Sequence, residues 1–281
     1  MKKYLSKLFR NNFKFIFNIL ATSKNNNFDI EYLNLKLKEN GPLGKKDEEL
    51  IIPIDEIIAP RIIKNGSWDY FICNFIKKNI NNDENHFFDI GANIGLITRQ
   101  LQNLNLNISR YYCFEPDYKC FAILKKNVEN KNVDFFNFGL GIKNSKYKFY
   151  SNPLNRTDNS IFLKNYNYSE IDVIDVDIKN TNEVLSNIIN KNNIRNIIYK
   201  SDTQGLDEEI FANLDNSIID KINLLIIEIY NFDYAIKNIE LLLSKLKKFS
   251  TFFNEDGSVL NYNDLEKIFM KKKEFNLMAK K

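Results

Sequence analysis

The stretch Phe87-Phe88-Asp89-Ile90-Gly91-Ala92-Asn93-Ile94-Gly95 decides the fold. An apolar run ends at Asp89, a glycine turn follows, and a helical pattern begins near Ile94, so we predict a strand, a turn and a helix. Glycines in such a turn adopt backbone conformations closed to other residues and let the backbone approach a ligand. The free N–H groups at the start of the helix suit the same ligand. The stretch therefore predicts a ligand-binding turn in an α/β fold.

Strand and helix patterns alternate on both sides of this turn, as in a doubly wound, mostly parallel, Rossmann-like sheet. We predict strands at 86–90, 110–115, 133–138, 196–201 and 222–229, and helices at 68–80, 94–104, 118–130, 184–190, 206–214 and 233–246. Residues 145–178 interrupt the alternation and predict an insertion or an added hairpin. Two further strands are expected at 250–254 and 275–279, the last of them antiparallel to its neighbours.

The first 59 residues predict a helical extension that precedes a domain at 60–281. Apolar side chains recur at helical spacing over residues 4–20, which favours an amphipathic helix docked on the domain over one that lies on a membrane. Lys14 interrupts the apolar run and argues against a signal peptide. We predict a second short helix at 29–38, followed by short strands or turns at 50–65.

The spacing of the motif residues limits the cofactor. Gly91 and Gly95 are four residues apart, unlike the G-x-G-x-x-G of nicotinamide-binding folds. Glu115 follows at the end of the next predicted strand and precedes Pro116. A carboxylate at that position suits the two neighbouring hydroxyls of a ribose. The pattern predicts a cofactor with a nucleoside but without a pyrophosphate.

The motif Asp89-Ile-Gly-Ala-Asn-Ile-Gly95 with Phe114-Glu115-Pro116 resembles the first motif and acidic partner of class I S-adenosylmethionine-dependent methyltransferases, and of the FkbM-type family in particular. Residues 198–205 and 225–228 resemble its K-x-D-x-E-G segment and its later acidic strand. The resemblance covers roughly residues 60–280 and implies S-adenosylmethionine as the cofactor. It implies these cofactor-binding residues: Asp89, then Gly91, Ala92, Asn93 and Gly95 at the methionine part, Glu115 at the ribose, and Asn137 in a turn beside adenine. The alternative is a glycine turn needed only for tight packing of strand against helix, with Glu115 a solvated strand end.

Three candidate catalytic residues lie at the ends of predicted strands near this turn. Ligands in open parallel sheets bind at the carboxyl ends of the strands, where Lys200 and Asp202 are expected. Asp202 is the candidate general base or orienter of the acceptor hydroxyl. Lys200 would keep that carboxylate ionised or bind an anionic group of the substrate. Glu228 is a candidate second carboxylate. The alternative is a structural ion pair between Lys200 and Asp202.

Two further features concern the same site. The resemblance has a glutamate where this chain has Gln204, which argues against divalent-metal binding, so no metal is expected. The segment Gly66-Ser67-Trp68-Asp69 is a candidate to close over the cofactor, although Trp68 as plain packing is the favoured interpretation. His86 precedes the first strand of the alternation, at the end away from the site, and is expected to be structural.

Composition excludes several classes of protein. With 40 Lys+Arg and 36 Asp+Glu, the formal net charge of +4 allows an anionic partner, and no dense basic surface points to nucleic acid. Cys73, Cys113 and Cys120 form no CxxC pattern, which argues against a zinc cluster or a disulfide framework and favours the cytoplasm. The prediction is an O-methyltransferase acting on a hydroxyl of a small molecule or glycan precursor, with a nucleotide-linked sugar included, in surface polysaccharide biosynthesis. The alternative is a degenerate methyltransferase fold that serves as a non-catalytic binding or scaffold subunit.

Overall fold

The computed structural model describes residues 32–55, 57–129, 131–152, 157, 159–162, 171–230, 239–271 and 274–281. The strands in this part of the chain are β1 (Tyr32–Lys36), β2 (Glu49–Pro53), β3 (Asn85–Ile90), β4 (Ile108–Phe114), β5 (Val133–Phe136), β6 (Gly139–Gly141), β7 (Ser145–Ser151), β8 (Asp172–Asn180), β9 (Ile197–Ser201), β10 (Ile222–Tyr230), β11 (Thr251–Phe253), β12 (Val259–Leu260) and β13 (Glu274–Lys280). The helices are α1 (Ile58–Asn65), α2 (Tyr70–Asn79), α3 (Leu96–Asn103), α4 (Tyr118–Asn127), α5 (Thr181–Lys191), α6 (Asp207–Ala212), α7 (Asn216–Ile219), α8 (Ile239–Leu246) and α9 (Leu265–Lys271).

A large mixed sheet organises the fold, in the order β12-β11-β13-β10-β9-β3-β4-β5. The five strands from β10 to β5 run parallel, and β13 joins β10 antiparallel. The predicted α/β class, the parallel strands and the antiparallel C-terminal strand are therefore confirmed. The chain runs outward from β3 through β4 to β5 and returns to β9, so the strand order reverses between β3 and β9. Ligands of open parallel sheets bind at such a switch point.

The strands of this sheet are apolar on both faces because helices cover both. On β10, Leu225 and Ile227 pack into one buried cluster, whereas Leu224 and Ile226 pack into another on the opposite face. This alternation is the two-residue period of a strand with a core on each side. In the described residues no helix combines the length and the apolar character needed to cross a bilayer.

The prediction of a helix at 29–38 is wrong for the residues that the structure describes. Residues 32–36 form β1, which pairs antiparallel with β2. The reason is the alternation of Leu33 and Leu35 with Asn34 and Lys36, a two-residue period that five residues are too few to separate from a helical one. The helix predicted at 4–20 lies outside the described residues. The described part thus shows a two-stranded ribbon where a helical extension was expected.

Residues 50–65 contain a strand, as expected, and also helix α1, which was not. The Asp55 carboxylate accepts hydrogen bonds from the backbone N–H groups of Ile57, Ile58 and Ala59 and begins the helix. Pro60 lies in the first turn, where its missing N–H removes no hydrogen bond. The boundary predicted at residue 60 falls inside α1.

The segment before residue 60 shares a buried core with the helices that follow the glycine turn. Leu50 and Ile52 cluster with Ile94 and Ile123. The Asn127 side chain, at the end of α4, both donates to and accepts from the backbone of Ile51. These contacts join the β1–β2 ribbon to the helices that flank the glycine turn.

Residues 139–180 supply a second, three-stranded sheet in the order β6-β8-β7. β7 and β8 pair antiparallel, from Ser145 opposite Ile178 to Ser151 opposite Asp172, which is the predicted added hairpin. Phe149 and Ile178 from this sheet line the cleft described next. The interruption in the alternation therefore contributes a wall of the candidate site.

Candidate active site

The site lies where β3 and β9 end side by side, at the switch in strand order. Parallel register sets Asp89 directly opposite Lys200, and both side chains are buried. The Lys200 ammonium lies 3.0 Å from Asp89 Oδ1 and donates to the Gly91 carbonyl oxygen at 2.9 Å. The Thr98 hydroxyl donates to the other Asp89 oxygen at 2.7 Å. Asp89 and Lys200 thus form a buried ion pair that joins the two strands.

This pairing differs from the prediction that Lys200 would hold the Asp202 carboxylate. The ammonium is bound by Asp89 and by backbone carbonyls, because residue 200 lies one position before the strand end and points at Asp89 across the ladder. Burial by itself lowers the pKa of Lys200, but the charges of Asp89 and Asp202 outweigh it and the pKa lies above its usual range. Lys200 therefore stays protonated.

The glycine turn (residues 89–95) packs tightly against the loop after β9. Gly91 has φ of +72°, and a Cβ atom on it would lie 1.8 Å from the carbonyl oxygen of Asp202. Gly95 has φ of +84°, and a Cβ there would lie 2.6 Å from the side chains of Leu124 and Val128 in and after α4. Both glycines are thus required by packing within the protein, as the alternative interpretation of the turn expects.

Glu115 is buried, contrary to the alternative interpretation of a solvated strand end. Its carboxylate accepts one backbone N–H from Asn93 and one from Asp117, both at 2.8 Å. Burial, together with the charge of Asp117, raises its pKa from 4.5 to about 8. Each carboxylate oxygen can accept a second hydrogen bond. A buried carboxylate that faces a cleft is suited to a ligand with two neighbouring hydroxyls.

Asn137 supports Glu115 from outside the cleft. Its side-chain amide donates to the carbonyl oxygens of Glu115 and Pro116 at 2.9 and 3.2 Å, and the residue is exposed. The cleft wall beyond Pro116 is formed by Gly139 and Leu140. Asn137 therefore fixes the backbone beside the cleft, and its predicted place beside adenine stays a prediction.

A cleft of about 990 Å³, open solvent included, connects the glycine turn with the end of β9. The predicted residues that line it are Gly91, Ala92, Asn93, Glu115, Lys200 and Asp202. Asp89, Gly95 and Glu228 support those residues without lining the cleft. His86 lies at the amino-terminal end of β3, 3.6 Å from the Glu84 carboxylate, and burial lowers its pKa. The structure thus brings both predicted groups of residues to one cleft and leaves His86 away from it.

Side-chain hydrogen bonds connect the residues at the ends of β9 and β10. The Gln204 amide nitrogen donates to Asp202 Oδ1 and to Glu228 Oε2, each at 2.9 Å. The Tyr230 hydroxyl donates to the Gln204 amide oxygen at 3.1 Å. Asp202, Gln204, Glu228 and Tyr230 are called the Gln204 cluster below. Burial and the charge of Asp202 raise the pKa of Glu228 well above its usual range.

Asp69 is a candidate site residue that the sequence did not single out by itself. It begins α2, lines the cleft with Trp68, and lies 3.6 Å from the Arg61 guanidinium. Burial, followed by the charge of Asp202, raises its pKa to about 6. The signal that pointed here was the segment 66–69, of which Trp68 and Asp69 line the cleft. Gln100 holds Trp68 there through two hydrogen bonds to its backbone.

The described residues contain no group of three or more His, Cys, Asp or Glu side chains arranged to hold a metal ion. The polar side chains that line the cleft are carboxylates, amides, threonine hydroxyls and the Lys200 ammonium group. Such a cleft, with a glycine turn after the first strand and a buried acid after the second, defines a Rossmann-like α/β protein with a binding site at its switch point.

The family can be named from comparison with known proteins. A family model described as "Methyltransferase FkbM domain" matches residues 89–257, more than half of the chain. The chain belongs to this family of methyltransferases, and the resemblance inferred from the motif is confirmed. The match begins at Asp89 of the glycine turn and includes the Gln204 cluster. No curated protein matches the chain.

Proposed function

We propose that the protein is an S-adenosylmethionine-dependent O-methyltransferase that methylates a hydroxyl of a sugar or glycan precursor, in surface polysaccharide biosynthesis. The observation that carries the proposal is the buried Glu115 carboxylate in the cleft, beside the glycine turn of a methyltransferase-family chain. When bound, S-adenosylmethionine supplies an electrophilic methyl group on a positively charged sulfur. It also carries a ribose with two neighbouring hydroxyls.

The residues of the cleft fit such a cofactor. Glu115 would accept hydrogen bonds from the ribose hydroxyls, because a carboxylate oxygen accepts two and each here takes one from the backbone. Gly91, Ala92 and Asn93 would border the methionine part, while Leu140 offers an apolar wall for a flat base. Asp89, Lys200 and Gly95 would hold these residues in place.

The acceptor would lie beside Asp202. Transfer to a hydroxyl requires the oxygen to approach the methyl carbon to about 3 Å and to lose its proton as the new bond forms. Asp202 lines the cleft and would take that proton, or orient the hydroxyl that gives it up. Glu228 and Gln204 would act through Asp202. A carboxylate in this role favours transfer to oxygen.

Gln204 was the feature that favoured a non-catalytic scaffold. Its amide makes hydrogen bonds to both neighbouring carboxylates and to Tyr230. The glutamine that stands in place of the expected glutamate therefore fills the position and is hydrogen-bonded there. This arrangement supports an active site in preference to a degenerate one. The scaffold alternative predicts that cofactor binding or methyl transfer is absent.

Calorimetry with S-adenosylhomocysteine, the demethylated form of the cofactor, tests the donor part of the proposal. We expect saturable 1:1 binding with a dissociation constant on the order of micromolar. ADP and NAD⁺, which share adenosine but carry phosphates, serve as controls and should bind far more weakly. Absence of S-adenosylhomocysteine binding would overturn the proposal.

The acceptor part needs a separate measurement. Protein incubated with methyl-labelled S-adenosylmethionine is assayed against neutral sugars, nucleotide-linked sugars and amino sugars, and the labelled product is located by NMR. Label on a sugar oxygen is the expected result. Label on nitrogen would contradict the O-directed assignment, and label on nucleotide-linked sugars alone would identify the precursor as the acceptor.

The place of action in the cell is part of the same proposal. We propose action in the cytoplasm on a small-molecule or glycan acceptor, with no nucleic acid as partner. Residues 4–20, outside the described residues, would dock on the domain, with peripheral contact with a membrane as the alternative. Cosedimentation with anionic vesicles, compared with a variant in which Phe13 and Phe17 are replaced by Ser, separates the two. Equal sedimentation of both proteins contradicts membrane contact through this helix.

A further inference from the structure

Gln204 occupies an unusual position between two carboxylates. Its amide nitrogen has two hydrogens, and Asp202 and Glu228 each accept one at 2.9 Å. These two acidic residues come from the ends of neighbouring strands, β9 and β10, and their carboxyl groups also hydrogen-bond to each other directly. A single neutral side chain therefore bridges both candidate carboxylates of the acceptor side.

The carboxylates of Asp202 and Glu228 determine which way the amide faces, and Tyr230 completes its contacts. Its hydroxyl donates to the Gln204 oxygen at 3.1 Å, and Tyr230 shares a face of β10 with Glu228, two residues earlier. The reverse orientation of the amide would turn its oxygen towards two carboxylate oxygens, whereas the Tyr230 hydroxyl can accept as well as donate. All three polar contacts are satisfied in one orientation only, so the amide is oriented as well as bound.

The backbone at Gln204 supports the same interpretation. Gln204 has φ of +59°, in the left-handed region that residues other than Gly, Asn and Asp rarely adopt. The Ser160 hydroxyl donates to its carbonyl oxygen at 2.9 Å, and Gly205 follows with φ of +120°. Backbone strain of this kind persists only where surrounding contacts hold it, and it concentrates at functional sites.

We propose that Gln204 is a positioning residue that replaces a bound divalent cation between Asp202 and Glu228. Its two N–H groups hold both carboxylates in place, so that Asp202 keeps a fixed direction towards the acceptor. The inference deepens the proposed function and rests on Asp202 as the group that faces the acceptor hydroxyl. A cation between these two residues would occupy the place that the amide nitrogen takes.

The charges around the cluster show why a bridge is needed. Asp202 from the end of β9, Asp207 from α6 and Glu274 from β13 all act on Glu228 electrostatically and all are acidic, whereas the cation Lys200 acts on Asp202. Burial is the larger effect, and together these raise the pKa of Glu228. Glutamate in place of Gln204 would add one more negative charge and convert the bridge into three converging carboxylates. Hard divalent cations prefer such an oxygen-rich site.

Manganese binding to the full chain tests the proposal. Titration of MnCl₂, followed by water-proton relaxation and calorimetry, is carried out on wild type, Gln204→Glu and the matched control Gln102→Glu. Gln102 lies in α3 outside the cleft and bonds to the backbone of Glu129, so its variant adds the same charge elsewhere. We expect a 1:1 site in Gln204→Glu alone, at least about tenfold tighter than any binding by wild type or the control.

Two results overturn the proposal: 1:1 Mn²⁺ binding by wild type as tight as in Gln204→Glu, or a folded Gln204→Glu that gains no site. Binding of S-adenosylhomocysteine by wild type is measured separately, so a failure of the proposed function is distinguishable from a failure of this inference.

A second variant covers the case in which Gln204→Glu does not fold. Gln204→Met keeps the length of the side chain but removes both donors. We expect its thermal midpoint to fall below that of wild type by more at about pH 8 than at about pH 5, because the unbridged carboxylates repel once ionised. Millimolar MnCl₂ should recover part of the loss at the higher pH. A loss that is independent of both pH and Mn²⁺ would show a purely packing role and overturn the proposal.

Discussion

The glycine turn follows β3 and the Gln204 cluster lies at the ends of β9 and β10 in the same sheet, yet different kinds of contact hold the two regions together. In the turn, backbone groups make the contacts: Gly91 and Ala92 both donate to the Phe114 carbonyl oxygen, at 3.0 and 2.9 Å. In the Gln204 cluster, side chains bond to side chains. A turn held by backbone contacts restricts which residues fit there. A cluster held by side-chain contacts can accept a substitution and still form hydrogen bonds.

The two regions nevertheless contact each other, since Gly91 packs against the backbone of Asp202. The largest expected effect comes from a substitution that disrupts this contact. In Gly91→Ala, the new Cβ would collide with the Asp202 carbonyl oxygen at 1.8 Å, in a residue with φ of +72°. The left-handed backbone costs about 1–2 kcal/mol and the overpacking roughly 3 kcal/mol more. We expect a loss of about 5 kcal/mol in the free energy of unfolding, measured in urea.

Gly66→Ala is the matched control for this variant. Gly66 has φ of +64°, and its Cβ would have no heavy atom within 4 Å, so only the backbone cost of about 1–2 kcal/mol remains. The difference between the two glycines isolates the contact between the turn and Asp202. Equal losses in both variants would show that this contact does not join the two regions.

The second effect concerns the residue that links the two regions, Lys200. Removing one partner of a buried ion pair leaves an unpaired charge, so Lys200→Met is expected to cost about 4 kcal/mol of unfolding free energy. Because the ammonium pairs with Asp89, Asp89→Asn combined with Lys200→Met should cost much less than the sum of the single variants. The same cycle with Asp202→Asn should show weaker coupling. Stronger coupling to Asp202 would show that Lys200 acts mainly on Asp202, as the sequence predicted.

The sequence predicted the turn and missed the pairing for one physical reason. Asp89, Gly91 and Gly95 stand within seven residues, and local pattern determines a strand, a turn and a helix there. The partner of Lys200 depends on the register between β3 and β9, and three helices and five strands of the described residues lie between these strands in the chain. The role of Gln204 likewise depends on a left-handed backbone and on Tyr230 from β10. Contacts between distant strands are set by the assembled sheet, so no local spacing reveals them.

The third effect tests the turn side by ligand binding. At about pH 9, above the raised pKa of about 8, Glu115→Ala removes two charge-assisted hydrogen bonds to a ribose, each worth roughly 1.5 kcal/mol. S-adenosylhomocysteine should therefore bind on the order of 100-fold more weakly in calorimetry at that pH. Glu84→Ala, at the opposite end of β3, is the control and should bind as wild type does. Unchanged binding in Glu115→Ala would show that the ribose lies elsewhere and that Glu115 only holds the turn.

The smallest expected effect is a dependence of the free energy of unfolding on pH. It measures the cost of burying the Glu115 carboxyl separately from the role of that carboxyl in ligand binding. Its pKa is raised from 4.5 to about 8, so the folded protein binds this proton more tightly than the unfolded chain does. The stabilisation is full below the unfolded pKa and is lost as the pH rises through about 8. In Glu115→Gln this titration is absent, while the raised pKa values of Asp69, Asp207, Glu208 and Glu228 are common to both proteins and cancel in the difference.

Urea unfolding at about pH 5 and about pH 9 measures that difference. One pKa unit corresponds to about 1.4 kcal/mol, so wild type should lose at least that much more stability than Glu115→Gln as the pH rises. Equal slopes in the two proteins would mean that Glu115 is ionised at no cost in the folded state. The expected slope would instead show that the ionised Glu115 carboxylate destabilises the folded protein. Hydrogen bonds from a ligand with two hydroxyls would offset this cost.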